Sequence, residues 1–174
     1  METDRIGHYM MIPENKSEQF LDFKGKDLLK HVNETKRLID PSNLYCIGEL
    51  WDGLHFLLTG NRTDETIEDK LSEAIIGIFV FDVDSDDGFV SCNDYEELPD
   101  IIDALEAVDI ASICKQADLS LFRQHEIYPD IWQDEKKDVL MDKLTTEYEN
   151  LLAFYKRALR NQMPVIFSVF EKSF

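Results

Sequence analysis

The residues best suited to chemistry in this 174-residue chain lie in two short segments. Trp51-Asp52-Gly53-Leu54-His55-Phe56-Leu57-Leu58-Thr59-Gly60 reads as a helix with Trp51, Leu54, His55 and Leu58 on one stripe. Glu126-Ile127-Tyr128-Pro129-Asp130-Ile131-Trp132 reads as a loop stiffened by its proline, which presents two aromatic side chains with polar edges. If the loop packs over the helix, His55, Tyr128 and Asp130 converge beside Trp51 and Trp132. An imidazole there acts as a general base or contacts a small ligand. The plainer reading makes His55 a hydrogen-bonded core histidine, Asp130 a partner for local backbone donors and Trp132 a plug in the core. The second reading is favoured, because such packing roles are the commoner ones for residues of these types. Gly53 inside the helix costs about 1 kcal/mol relative to alanine, which implies that another part of the chain comes close there.

The second feature is charge. The chain has 36 Asp and Glu against 18 Lys and Arg, a formal net charge of -18. From Leu71 to Cys114 there is no Lys, Arg or His, while twelve acids fall in that window. Asp84, Asp86 and Asp87 sit together on a predicted turn. Glu96, Asp100 and Asp103 follow on the outer face of a predicted helix whose inner stripe is Leu98, Ile101, Ile102, Leu105 and Val108. A field of this sign repels nucleic acid and anionic membranes and attracts a basic protein. The competing reading is an ordinary solvated surface.

Other chemistries fit poorly. Asp82-Val83-Asp84-Ser85-Asp86-Asp87-Gly88 suggests calcium, but an EF-hand counted from Asp82 needs Gly at position 87 and Glu at 93, where the chain has Asp87 and Asn93. His125 and Glu126 are adjacent and cannot open a zinc helix, and there is no phosphate loop, dinucleotide fingerprint or nucleophile elbow. No cofactor or metal is implied, and the sequence leans towards a non-enzyme. Cys46, Cys92 and Cys114 are odd in number and far apart, as free thiols in a cytoplasm would be. No run reaches the ~20 apolar residues of a membrane helix.

The elements that must position these residues give an α+β reading, a helix-rich single domain over residues 1–174 with a small mixed sheet that includes the N-terminal and C-terminal strands. Strands are expected at Ile6–Ile12, Leu44–Ile47, Gly77–Val83, Phe89–Cys92 and Val165–Phe170, the third and last of them buried. A helix from Ser17 turns Phe20, Leu21 and Phe23 inward, and a second begins near Asp27. Asp64 or Thr66 caps the helix through Leu71, Ala74 and Ile75. Asp94 and Glu97 suggest a capping box, with Pro99 delaying the helix start. The longest helix runs from about Glu135 to Arg160 with Val139 and Leu140 inward.

Three segments, Ile6-Gly7-His8-Tyr9, the Trp51–Gly60 motif and the Glu126–Trp132 motif, together resemble the YfbM-like proteins, a bacterial family of unknown function. The resemblance spans nearly the whole chain and implies a compact α+β domain and cytoplasmic residence, with no activity. The acids between Gly77 and Cys92 depart from the family pattern. Size, charge and the missing catalytic signature lead to an acidic interaction protein, immunity- or inhibitor-like, that binds a basic protein partner. The alternative is a small-molecule-binding or hydrolytic domain built on His55, Tyr128 and Asp130. Oligomeric state is not encoded in any of these features.

Overall fold

Among the described residues five strands form one antiparallel sheet, to which Arg5–Met11 and Val165–Glu171 both contribute. The computed structural model describes residues 4–65, 67–83 and 88–171. The strands are β1 (Arg5–Met11), β2 (Leu44–Gly48), β3 (Phe79–Phe81), β4 (Phe89–Asn93) and β5 (Val165–Glu171), in the order β2-β1-β5-β4-β3. β5 is central and pairs with β1 (Tyr9 opposite Phe167) and with β4 (Ser91 opposite Phe167). A strand paired on both sides and covered on both faces has no solvent side, which is why Val165 to Phe170 is almost wholly apolar.

Among the described residues, eight helices cover the two faces unequally. α1 (Glu14–Glu18) and α2 (Gly25–Leu38) lie on one face, where Phe20, Leu28, Leu29 and Val32 pack on Met10, Val90, Ile166 and Phe170. The other face carries α3 (Trp51–Thr59), α4 (Lys70–Ile76), α5 (Leu98–Glu106), α6 (Ile110–Gln116), α7 (Leu119–Gln124) and α8 (Lys137–Arg160). There Tyr9, Met11, Phe167 and Val169 join the larger core with Leu54, Ile101, Leu144 and Leu151. Buried polar groups tie the layers: the Tyr9 hydroxyl donates to the Ile75 carbonyl at 2.7 Å, and the Tyr155 hydroxyl donates to Ala74 O at 2.6 Å.

The structure departs from the sequence reading at the edges of elements. The first helix ends in a 3₁₀ turn, Gln19–Asp22, which rotates Leu21 outward while Phe20 stays buried. Asp69, rather than Asp64, caps α4, accepting the Leu71 N–H at 2.8 Å; Thr66 lies outside the described residues. The strand expected over Gly77–Val83 is three residues long and lies at the sheet edge, so Phe79 is exposed instead of buried. Asp94 makes no capping bond; a 3₁₀ turn, Tyr95–Glu97, intervenes and places Pro99 in the first turn of α5. Another 3₁₀ turn, Asp134–Lys136, precedes α8, within which Val139 falls beside the buried stripe and is exposed. Among the described residues, no helix is long and apolar enough to cross a membrane. Cys46, Cys92 and Cys114 are free.

Candidate functional site

α3 is buried nearly all the way round, from Trp51 to Phe56 without a break. A cation or an unpaired acid has no place on such a helix, so each polar group on it must find a partner in the protein. Gly53 shows why the loop motif fits here. A Cβ at that position would lie 2.3 Å from Cη2 and 2.4 Å from Cζ2 of Trp132, so the indole occupies the space a side chain would take. Trp132 is held in turn by its Nε1–H, which donates to the Ile127 carbonyl at 2.9 Å, and by the Phe122 ring at 4.8 Å between centroids.

Tyr128 is fixed from three directions. Its backbone N–H donates to Asp52 Oδ2 at 2.9 Å, and its hydroxyl accepts the Arg5 N–H at 2.7 Å. The Arg5 guanidinium lies 5.6 Å from its ring centre. The Tyr128–Pro129 peptide is cis. Trp51 closes the arrangement by donating its Nε1–H to the Arg5 carbonyl at 3.1 Å, and its ring edge fills the space above Gly7. The three sequence segments are thus joined to one another: Gly7 beneath Trp51, Gly53 beneath Trp132, and Arg5 bonded to both Trp51 and Tyr128.

His55 belongs to a different set of contacts. It is fully buried, with Nδ1 at 2.9 Å from Asn61 O and Nε2 at 2.7 Å from Ser72 Oγ. Both ring nitrogens are occupied by the turn after α3 and by α4. Asp130 is exposed and makes no ion pair or side-chain hydrogen bond among the described residues. The structure brings Trp51, Tyr128 and Trp132 together in a filled interface, directs His55 towards Ser72, and puts Asp52 where Asp130 was expected.

The acidic face is arranged differently. α5 buries Leu98, Ile101, Ile102 and Leu105 against α4 and α8, and the helical period leaves Asp100, Asp103 and Glu106 in solvent, with Glu96 exposed just before them. Neighbouring elements supply few cations. Lys70 bridges Glu73 at 2.7 Å and Glu97 at 3.2 Å, and Lys156 reaches Glu106 at 2.7 Å. Glu96, Asp100 and Asp103 have no ion pair among the described residues. Asp84, Asp86 and Asp87 lie outside the described residues. No group of three or more His, Cys, Asp or Glu among the described residues is placed to hold a metal ion.

A family model described as Domain of unknown function (DUF1877) matches residues 4–168, which include all three interlocked segments. The chain belongs to this family. It is also similar to a solved structure, a protein of unknown function, YfbM, from Escherichia coli, with a TM-score of 0.80 and 28% sequence identity. That match covers 94% of this chain and 99% of the other. No curated protein was found to match.

A buried imidazole, His55, and a half-buried one, His8, make the stability of this family member depend on pH. Burial holds His55 below its ordinary value. Burial, helped by the like charge of Lys36, lowers His8 from 6.5 to about 4. The unfolded chain takes up these protons first, so stability is lost as pH falls from 6.5 towards about 4. Asp52 is raised by burial and works in the opposite direction. A shift of the size at His8 is on the order of 3 kcal/mol for a fully desolvated group, reduced to about 1–2 kcal/mol for this half-buried one. Between about pH 7 and pH 4.5 the parent should therefore lose roughly 3–6 °C more in thermal midpoint than His8→Gln. Parallel melting curves for the two proteins would refute the assignment.

Asp52, Arg5, Thr63 and Ser72 carry the polar contacts of this region, and none was singled out from the sequence. Asp52 had a readable signal: it is the only ionisable acid on a helix that is otherwise apolar nearly all round, so it had to be buried and paired.

Proposed function

We propose that this protein is a non-enzymatic acidic interaction protein of the cytoplasm, immunity- or inhibitor-like, which binds a basic protein through the face of α5. The observation that carries the reading is the set of Glu96, Asp100 and Asp103, exposed and without ion pairs among the described residues, on α5 and the turn that leads into it, with the other side of the helix packed. Leaving like charges unneutralised opposes folding, since their mutual repulsion exists only when the helix forms. A basic partner removes that repulsion and gains steering from the net charge of -18. The alternative, a ligand pocket around His55, draws less support, because both nitrogens of that ring are already bonded.

The test is capture on the immobilised protein at low salt, followed by elution with salt. Proteins retained by the parent should be strongly basic, and the Glu96→Lys/Asp100→Lys/Asp103→Lys variant should fail to hold them. All three positions are exposed, so the variant should fold as the parent does. Equal retention by parent and variant would make the face an ordinary solvated surface.

A further inference from the structure

The far edge of the sheet carries an unusual concentration of exposed apolar side chains. Phe79 is 51% exposed, Leu21 58%, Ile78 42% and Val83 76%. β3 pairs with β4 on one side and with no strand on the other among the described residues. Between β3 and α1 lies an open recess of about 240 Å³, walled by Leu21, Phe79 and Phe81 and rimmed by Glu14, Glu18 and Asp94. Its floor includes Cys92, whose thiol burial and the nearby Asp94 push up to about 12, so that the floor stays uncharged. Pockets that enclose a small molecule run to about 300–1,000 Å³, and this one is smaller and open, which suits one or two side chains of a larger partner.

We propose that this recess and the free edge of β3 take an extended segment of the basic partner, laid beside β3 with an apolar side chain in the recess and flanking lysines or arginines on Glu14, Glu18 and Asp94. The inference rests on the reading of the partner as basic and adds where its apolar anchor goes. Strand addition supplies main-chain hydrogen bonds for affinity, while alternate side chains meet the recess and give selectivity. Free edges are usually blunted by charge on the strand itself, whereas β3 is Phe79-Val80-Phe81. The rim decides the sign of the partner. A second copy of this chain brings the same three acids and another -18, so self-pairing along this edge is opposed. Asp94 stands two residues before Glu96, so the recess and the acidic face are joined through the end of β4.

The probes are three fluorescent heptapeptides: alternating lysine and valine, alternating glutamate and valine, and the lysine–valine sequence with a central proline that blocks strand pairing. Binding is read by polarisation at about 0.15 M salt, where the Debye length is about 8 Å, with backbone NMR of the protein alongside. The lysine–valine peptide should bind and shift the signals of residues 78–81, and lose about tenfold or more in Phe79→Ser and in Glu14→Lys/Glu18→Lys, a change of about 1.4 kcal/mol. It should stay within roughly threefold in the Glu96→Lys/Asp100→Lys/Asp103→Lys variant, whose charges lie beyond the recess. Equal binding of the glutamate or proline peptide overturns the proposal. Binding that ignores Phe79→Ser but disappears in the triple variant also overturns it, and leaves the acidic-face reading standing. Absence of all peptide binding overturns the recess alone, because capture by the acidic face is measured separately. A dimer that Phe79→Ser dissolves assigns the edge to a second copy and overturns it as well.

Discussion

Gly53→Ala should lower the stability of this protein by about 3 kcal/mol or more, although alanine is the better helix former by about 1 kcal/mol. The added methyl would stand 2.3 Å from the Trp132 ring, far inside contact distance. The ring has little freedom to retreat, since it is 1% exposed, bonded through Nε1 to Ile127 O and backed by Phe122. Overpacking of this kind forces side chains off their rotamers or moves backbone. Urea unfolding of Gly53→Ala, Trp132→Leu and the double variant measures it. Trp132→Leu alone is costly because it leaves a cavity, but combined with Gly53→Ala it makes room for the methyl, so the double variant should be more stable than the sum of the singles. Strict additivity would mean that Gly53 is not there to admit Trp132.

Asp52→Ala should cost about 2–3 kcal/mol, and Asp52→Asn under about 1 kcal/mol. The carboxylate accepts the Tyr128 N–H at 2.9 Å and the Thr63 hydroxyl at 3.3 Å, and alanine would take the acceptor away from a buried N–H. Asparagine keeps an acceptor at the same place. It also removes a charge that burial already disfavours, since the Asp52 carboxyl is held above its ordinary value. The same unfolding measurement decides this. An asparagine variant as damaged as the alanine one would show that the negative charge, facing Arg5 and Arg62, matters more than the hydrogen bond.

Much of this architecture was legible because burial and period coincide. The inner stripe of α5 followed from the spacing of Leu98, Ile101, Ile102 and Leu105, and that spacing forces Asp100 and Asp103 outward. The nearly unbroken apolar run of β5, interrupted at Ser168, announced a strand covered on both faces. Phe79 was misread for the same reason: an apolar run looks alike at the centre and the edge of a sheet, and only pairing order separates them. Leu21 was misplaced by the 3₁₀ turn at Gln19–Asp22, which changes the angle per residue, and Val139 by the period of α8, which sets it about 100° from Leu140 and off the buried stripe. At the candidate site, the pairing of the two motifs could be anticipated from Gly53, but the choice of carboxylate could not be made from the loop. Pro129 turns the chain so that Asp130 faces solvent, and the buried acid is supplied by the helix.

The acids of α5 stand apart from this interlocked framework. Gly53 packs against Trp132 and Trp51 lies beside Tyr128, whereas Glu96, Asp100 and Asp103 are exposed without an ion pair among the described residues. The first set holds the helices and the loop together; the acids of α5 take no part in that packing.

The most direct measurement is the association rate constant between this protein and the basic protein it retains, followed by stopped flow across a range of salt concentrations. At low salt the parent should associate at least about tenfold faster than the Glu96→Lys/Asp100→Lys/Asp103→Lys variant, and the gap should close as salt shortens the Debye length from about 30 Å at 0.01 M to about 3 Å at 1 M. Equal rates at low salt, or a gap that persists undiminished at high salt, would contradict recognition through the acidic face of α5.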